Sequence, residues 1–333
     1  MNLRAAMIRG VSGALYHTGL VGPVARGIAR THPRPRVQIL TFHRVNDDND
    51  PFLPSLPTAV FAARMAYIAR HYRVMTVEDL AAALQEGRVP KNALAITFDD
   101  GYRDNFTHAA PILKSLGLPA TIFLVTGHID TPRALWFDRL AMAFKSATAR
   151  RVELADGQLL SLGTVSDRLA ALDAALTHLK RLSDDERTDS VEQLMIPLRP
   201  NPERPKRLML SWDEVDALRG LGFSIGAHTI THPILSRLTA DRAWEEIHGS
   251  KTAIEKVLGE PVRGFAYPNG RADDYTETVT QLVRDAGFTC AVTTRRGPND
   301  TRTPVLELRR GGPAEYHLPT YALMLAYYRA VGA

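Results

Sequence analysis

The hydrophobic positions of this chain follow two different periods from residue 37 onward. Short apolar runs, such as LAITF at 94–98 and TIFL at 121–124, are typical of strands buried on both faces. Between such runs, apolar residues recur every three or four positions, as in 58–71, which predicts amphipathic helices. Polar motifs stand where the strands end. This repeated strand–helix pattern predicts a parallel α/β barrel with its chemistry at the carboxyl ends of the strands.

The strand–helix pattern is interrupted between about residues 130 and 208. There the segment SDRLAALDAALTHLKRL places one apolar stripe on a helical face, formed by Leu169, Leu172, Leu176 and Leu179. We therefore predict a helical insertion or lid at about 130–208. The predicted organisation is an N-terminal basic, partly amphipathic segment at 1–36 and one domain at 37–333 that carries the insertion.

Composition and charge narrow the class of protein. The chain has 333 residues, of which 45% are hydrophobic and 23% charged, as in soluble globular proteins. Its net charge of +5 is spread along the sequence, so we expect no nucleic-acid partner. The single cysteine, Cys290, excludes an internal disulfide framework, and its strand-like surroundings predict a buried, inert thiol.

The N-terminal segment carries an apolar stripe at helical spacing, formed by Leu3, Met7, Ile8, Val11 and Leu15. Such a stripe lies either on a membrane surface or on the protein's own body, and we favour the body. His17 and Pro23 break the apolar stretch, which argues against a cleaved signal peptide. We expect a cytoplasmic protein. Contact of residues 1–31 with the inner membrane face is the alternative use of the stripe.

Two polar strand ends carry candidate metal chemistry. The strand at 94–98 runs into Asp99 and Asp100, whose side chains point to opposite sides of an extended chain and need not share one role. The segment HTITH places His228 and His232 four residues apart after another strand. Each stretch alone is also compatible with an ordinary acidic turn or two unrelated histidines. Together, two histidines and one carboxylate form a ligand set that leaves positions open on a metal, and the second aspartate is left as a base.

Further polar residues follow other predicted elements. The segment FAYPNG ends in Asn269 and Gly270, and LTFHRV contributes His43. Asp104 and His108 are predicted to lie on a solvated helix. In the segment ALWFDRL, we interpret the three residues Trp136, Phe137 and Asp138 as anchors of the core or of the lid.

Taken in order, TFDDG, HTITH and GFAYPNG resemble the three motifs of polysaccharide deacetylases of carbohydrate esterase family 4, the NodB homology fold. The resemblance covers roughly 37–128 and 208–310. It implies a distorted (β/α)7-type parallel barrel, NodB-like, with a helical insertion. It also implies a metal-dependent hydrolase that removes an N-acetyl group from an amino sugar in a polysaccharide, oligosaccharide or glycolipid precursor.

The resemblance also implies roles for individual residues. Asp100, His228 and His232 match the metal ligands of the family, and Asp99 matches its general base. Asn269 stands where a backbone N–H helps to hold the oxyanion. The ligand set does not rank zinc, cobalt, nickel and iron, and Zn²⁺ is the default expectation.

The sequence departs from the common family pattern in two residues: the catalytic acid and the arginine that braces the base. No late LxxH motif supplies an acid, and the surroundings of His317, the late candidate, do not match one. The chain instead resembles the circularly permuted subgroup with poly-N-acetylglucosamine deacetylases, which implies His43 as the acid. We expect its strand to lie beside the one carrying Asp99, and the carboxylate to favour the protonated ring. The arginine that usually braces the base is Ala266 here, and Arg310, or Arg309, would replace it.

Two alternatives remain at this stage. Relatives of the same fold cleave non-sugar amides and cyclic ureides, so the substrate need not be a sugar. A non-catalytic carbohydrate-binding protein is the other alternative, against which Asp99 argues, because binding alone does not require a base. A metal assay with a generic N-acetyl substrate separates the enzyme from the binding protein.

Overall fold

The computed structural model describes residues 3–29, 36–199, 207–314 and 316–331. Within these ranges the main sheet has seven strands, all paired in parallel, in the order β1-β3-β4-β7-β8-β9 with β2 also paired to β3. A separate antiparallel pair is formed by β5 and β6. The strands are β1 (Gln38–Phe42), β2 (Arg73–Met75), β3 (Ala93–Phe98), β4 (Thr121–Leu124), β5 (Arg151–Glu153), β6 (Leu159–Ser161), β7 (Ser224–Ala227), β8 (Gly264–Ala266) and β9 (Cys290–Val292).

Helices surround the curled sheet and connect its parallel strands. Two of these helices begin at side-chain caps: Thr76 accepts from the backbone N–H of Asp79, and Ser211 and Glu214 form a capping box. The helices are α1 (Leu3–His17), α2 (Val21–Ala29), α3 (Thr58–His71), α4 (Val77–Gln85), α5 (Ala110–Ser115, preceded by a π-helical turn at Asn105–Ala109), α6 (Trp136–Ser146), α7 (Val165–Leu179), α8 (Asp184–Leu198), α9 (Trp212–Gly220), α10 (Ala240–Leu258), α11 (Glu277–Asp285) and α12 (Leu318–Val331).

The sheet forms a half-barrel, and the predicted barrel fold is confirmed in this form. Its two edge strands, β1 and β9, are connected by the extended segment 308–311. Leu308 pairs with Val292 of β9, and the N–H of Gly311 donates to the carbonyl of Ile39 in β1 (3.0 Å). Because side chains alternate along an extended segment, this register decides which residue of the segment faces the interior.

The interior of the half-barrel is a closed apolar layer. It contains side chains from the strands and from α4, among them Ile39, Val77, Leu80, Ala95 and Phe123. Cys290 lies in the same layer with no exposed area, so the prediction of a buried cysteine is confirmed.

The insertion has a hydrophobic core of its own, built from α6, α7, α8 and the β5–β6 pair. Three helices make up most of the insertion, and it also contains a β-hairpin that was not predicted. Val152 and Leu160 are buried on one face of the hairpin, and the Asp156-Gly157 pair lies in its turn. Alternating apolar residues around an Asp-Gly pair are the signal for a hairpin, and here they decide the local structure.

The N-terminal helices pack against α12, so the segment does lie on the protein's body. Ser12 is buried and forms a hydrogen bond with Thr320 (2.8 Å), and Val21 joins the main core. Only part of the predicted stripe is packed: Leu15 contacts the main core, whereas Ile8 and Val11 are 45% and 57% exposed. The side chains of Leu3 and Met7 lie outside the described part of the chain. None of the helices described is long and apolar enough to cross a membrane.

Candidate metal centre and active site

The candidate residues meet at the carboxyl edge of the sheet because its strands are parallel. The prediction that β1 lies beside β3 is confirmed: Phe42 pairs with Phe98, and the N–H of Asp99 donates to the carbonyl of Phe42 (3.0 Å). His43 and Asp99 therefore follow neighbouring strands at the same level.

Asp100, His228 and His232 form one cluster of buried ligand atoms. One atom from each residue lies within 4.8 Å of the other two. Oδ1 of Asp100 is 3.6 Å from Nε2 of His228 and 3.5 Å from Nε2 of His232. The two imidazole rings meet edge to face, with centroids 4.8 Å apart. The structure thus brings together the three residues that the family resemblance implied as ligands.

The electrostatics of this cluster fit a divalent metal ion. Burial lowers the pKa of His228 to about 4 and that of His232 well below its ordinary value, so both rings are neutral, as ligands must be. Nδ1 of His228 lies 2.6 Å from the carbonyl oxygen of Ala266, and donation to that oxygen leaves the Nε2 lone pair facing Asp100. Oδ1 of Asp100 is buried, with no hydrogen-bond partner among the described residues. Burial, and then the charge of Asp99, raises the pKa of Asp100 well above its usual range.

The turns that present these ligands contain backbone strain. Asp100, Thr229 and His232 all have left-handed backbone conformations, with φ of +74°, +69° and +64°. For a β-branched residue such as Thr229 this is an outlier, and it costs roughly 1–3 kcal/mol. The hydroxyl of Thr229 accepts from the N–H of His232 (3.1 Å), which partly fixes the turn.

Asp99 has a different partner, because Arg310 from the segment 308–311 binds both of its oxygens at 2.6 Å. The guanidinium also donates to the carbonyl of Thr293 (3.0 Å) and to Oγ1 of Thr97 (3.1 Å), and Arg310 is only 1% exposed. Burial acts to raise the pKa of Asp99, but the charge and hydrogen bonds of Arg310, together with the charges of His228 and His43, outweigh it and hold that pKa well below the usual range. Asp99 is therefore ionised. Arg309 is exposed, so Arg310 is the arginine that faces the base.

His43 lies at the mouth of the site, with its side chain 54% exposed and Nε2 4.0 Å from Oδ2 of Asp99. Protein atoms around the inner side of the ring desolvate it, which lowers its pKa; Asp99 opposes this shift, while Arg310 adds to it. Asp99 thus favours the protonated ring, as expected, but burial outweighs its charge, so the net shift in the pKa of His43 is downward.

Asp104 is also placed differently from the prediction of a solvated helix. It is buried, forms an ion pair with Arg44 (3.1 Å) and accepts from the side chain of Asn46 (2.8 Å). The neighbouring Asn105 donates to the carbonyl of His43 (2.8 Å). These contacts fix the end of β1, and with it His43. His108 is exposed, as predicted.

Asn269 lies in a tight turn after β8. Its φ is +57°, and its carbonyl accepts from the hydroxyl of Thr294 (2.5 Å). At the next residue, Gly270, a Cβ would lie only 2.8 Å from the backbone nitrogen of Thr294, so no larger residue fits there. The turn is therefore tightly packed, and the oxyanion role of the Asn269 N–H stays a prediction.

The start of α6 covers one side of the cluster. The ring of Phe137 is 5.3 Å from that of His232, and Trp136 packs with the core of the insertion. Asp138 is buried and accepts from the hydroxyl of Tyr102 (2.9 Å), and burial raises its pKa to about 6. Tyr102, two residues after Asp100, was not among the predicted site residues, and its sequence context has no signal for this contact.

His317 lies just before α12, where Nδ1 is 2.8 Å from the hydroxyl of Thr320. It belongs to the contact region of the terminal helices, because the same hydroxyl meets Ser12. His43, by contrast, lies beside Asp99.

The half-barrel and its cluster of one aspartate and two histidines define a class of proteins, the NodB-like deacetylases. A sequence model of polysaccharide deacetylases matches residues 86–291. The chain belongs to the polysaccharide deacetylase family, and membership implies an enzyme.

Individual relatives agree with this assignment. The Bacillus subtilis protein YxkH, named after the same family, is 22% identical over 270 residues, which are 80% of this chain and 68% of that protein. The poly-beta-1,6-N-acetyl-D-glucosamine N-deacetylase of Escherichia coli is 29% identical over 96 residues. That match spans 28% of this chain and only 14% of the relative.

Solved structures share the fold. The Streptococcus pyogenes deacetylase PplD, in complex with acetate, superposes with a TM-score of 0.57 at 19% identity, covering 84% of this chain and 92% of that one. IcaB from Ammonifex degensii superposes with a TM-score of 0.55 at 18% identity, covering 88% and 97% of the two chains.

Proposed function

We propose that this protein removes an N-acetyl group from an amino sugar in a polysaccharide, oligosaccharide or glycolipid precursor, with a divalent metal as cofactor and Zn²⁺ as the first expectation. The observation that carries the proposal is the buried cluster of Asp100, His228 and His232 next to the ionised pair of Asp99 and Arg310. Family membership and the name of the Escherichia coli relative support the amino-sugar substrate.

The metal would be held by Oδ1 of Asp100 and by Nε2 of each histidine, the three atoms that converge in the cluster. When bound, such an ion supplies Lewis-acid polarisation of an amide carbonyl and acidifies a water molecule. The neutral histidines and the one carboxylate would leave coordination positions open for these two groups.

The protein's own residues would carry the protons. Asp99 is ionised and buried, so it can accept a proton from the attacking water, while Arg310 fixes its orientation. His43 would give a proton to the leaving nitrogen, and its lowered pKa makes the protonated ring a stronger acid but a less populated one. The backbone N–H of Asn269 would bind the oxyanion. Acetate and a free amino sugar are the products.

The test is acetate release by the full chain from a panel of substrates. The panel contains N-acetylglucosamine oligomers, nucleotide sugars and lipid-linked forms, with a non-sugar amide and a cyclic ureide as comparison. We expect release from at least one amino-sugar substrate, loss of release after chelation and recovery with Zn²⁺. If the protein turned over only the non-sugar amide or the cyclic ureide, its substrate class would be that compound and not an amino sugar. Sugar binding without turnover in the metal-loaded protein would identify a binding protein instead.

We also propose that residues 1–31 contact an anionic membrane surface, with the protein in the cytoplasm at the inner membrane face. The support is that Ile8, Val11, Leu20 and Val24 are exposed apolar residues in a basic segment. We expect Val11→Glu to reduce sedimentation with phosphatidylglycerol vesicles. The control, Ile196→Glu, alters an equally apolar residue that is 75% exposed on the insertion. Equal sedimentation of both variants and the unmodified protein would refute the contact.

A further inference from the structure

The loop between the two cluster histidines is held by a carboxylate from α10. Glu246 is 7% exposed, and its Oε2 accepts from the backbone N–H groups of Ile230 (2.7 Å) and Thr231 (2.9 Å). Its Oε1 accepts from the hydroxyl of Thr231 (2.7 Å). Both oxygens of Glu246 are therefore used on the segment that separates His228 from His232.

The opposite side of this loop rests on the backbone of the 3₁₀ turn Thr126–His128. The N–H of Thr126 donates to the carbonyl of Thr229 (3.1 Å), and that of Gly127 donates to the carbonyl of Ile230 (2.8 Å). A Cβ at Gly127 would lie 2.7 Å from that carbonyl oxygen, so the approach is as close as a glycine allows. The loop is thus clamped between the turn and α10.

The loop needs this clamp because its conformation is unfavourable by itself. Thr229 and His232, which flank the clamped residues, are both left-handed and neither is a glycine. Such conformations persist only where the surroundings over-determine them. Hydrogen bonds to an ionised carboxylate are stronger than bonds between neutral groups, so Glu246 is suited to this task.

We propose that Glu246 is a positioning residue for the metal centre: it holds the loop 229–231 in the conformation that directs Nε2 of His228 and of His232 towards Asp100. It does not itself belong to the cluster of ligand atoms. The inference rests on the proposed metal site. It adds a residue that no sequence motif contains, since Glu246 lies fourteen positions beyond His232 on a helix of ordinary amphipathic pattern.

The test is a titration of Zn²⁺ into the metal-free full chain, with affinity measured by competition against a chelator. In Glu246→Gln the amide nitrogen takes the place of one carboxylate oxygen: it either faces a backbone N–H, which breaks those hydrogen bonds, or donates to the Thr231 hydroxyl and leaves the two backbone N–H groups on a weaker amide oxygen. We expect Zn²⁺ affinity to fall about 10- to 100-fold, the usual effect of losing an outer-shell partner. Glu246→Asp, which keeps the carboxylate, should lose less.

The matched control is Glu255→Gln on the same helix. Glu255 also accepts from a backbone N–H, that of Val262 (2.9 Å), together with Lys251 (2.7 Å), but it holds a different loop. We expect this control to keep the Zn²⁺ affinity of the unmodified protein. Excess Zn²⁺ should restore much of the turnover of Glu246→Gln, and thermal melting without metal should show similar stability for the two Gln variants.

Unchanged Zn²⁺ affinity in Glu246→Gln, or an equal loss in Glu255→Gln, would overturn the proposal. If Glu246→Gln does not fold, Gly127→Ala tests the same clamp from the opposite side, because its Cβ would push the carbonyl of Ile230 away; unchanged affinity there would also overturn it. Failure of the unmodified protein to bind Zn²⁺ is a different result, which would reject the metal site of the proposed function and not this residue alone.

Discussion

Asp99 and Asp100 are adjacent in the chain, and yet they occupy opposite electrostatic environments. Asp99 faces the closing segment of the half-barrel, where Arg310 binds both of its oxygens and keeps its pKa low. Asp100 faces two neutral imidazoles, and burial, followed by the charge of Asp99, raises its pKa. Both residues are 2% exposed, so burial alone does not separate them.

The difference shows how two adjacent carboxylates at the end of one strand can take different roles. Side chains on successive residues of an extended chain leave in opposite directions, so each carboxylate meets its own set of neighbours. Arg310 neutralises one carboxylate within the protein. The other forms no ion pair with a lysine or arginine among the described residues that line the cluster, which leaves it for an external cation.

The largest effect is expected from exchanging either aspartate. Asp99→Asn should lower kcat by about 100- to 10,000-fold, because the amide cannot accept a proton, and it should leave bound metal unchanged. Asp100→Ala should lose the metal itself, since it removes one of three ligand atoms. Metal content by elemental analysis, measured beside kcat, distinguishes the two. Equal metal content in both variants would contradict the division of roles.

A second test concerns the acid on the Asp99 side. His43→Gln should lower kcat by about 100-fold or more while metal content stays the same. The fall in kcat/KM at high pH should also disappear in this variant, because that fall reports the loss of the acid's proton. His108→Gln, an exposed histidine on the helical turn after the motif, is the control. An alkaline limb that persists in His43→Gln would assign the acid to another group.

Removing the partner of Asp99 should cost stability. Arg310→Ala leaves a buried, ionised carboxylate without its cation, so we expect the free energy of unfolding to fall by about 3–5 kcal/mol. Arg309→Ala alters the neighbouring, exposed arginine and should change it by less than about 0.5 kcal/mol. Denaturant unfolding measures both, and similar losses would mean that the pair is not what stabilises this edge.

The smallest effect concerns Asp138 in the metal-free protein. Its pKa of about 6 when folded lies above the ordinary 3.8, so the folded protein holds this proton more tightly than the unfolded chain does. The free energy of unfolding should therefore fall as pH rises from about 4 to about 6, by on the order of 2–3 kcal/mol from this residue. Asp138→Asn should flatten this slope, whereas the exposed control Asp216→Asn should not. An unchanged slope would contradict the raised pKa.

Most of the fold was predictable because the half-barrel is built from local patterns. Short apolar strands of three to six residues, capped helices and polar strand ends are all visible in the sequence. Parallel pairing then gathers those strand ends at one edge. The hairpin at 151–161 was predictable as well, from its Asp-Gly turn, but the leucine-rich helix that follows dominated the interpretation of the insertion.

Other features could not be predicted from local patterns. Arg309 and Arg310 are equivalent candidates in the sequence, and only the register of 308–311 between β9 and β1 turns Arg310 inward. Asp104 has an ordinary helical context, and its burial depends on Arg44 and Asn46 from another strand end. Glu246 reaches its loop only because α10 packs beside β7.

The sequence by itself determined which chemical groups stand at each strand end, since strand, turn and motif are encoded by neighbouring residues. The tertiary structure decided which partners each group contacts and whether it is protonated. Arg310 and Asp99 are 211 positions apart and meet only in the folded chain. The protonation of a buried carboxylate or imidazole depends on desolvation and on charges within a few ångströms, and both of those are properties of packing in three dimensions.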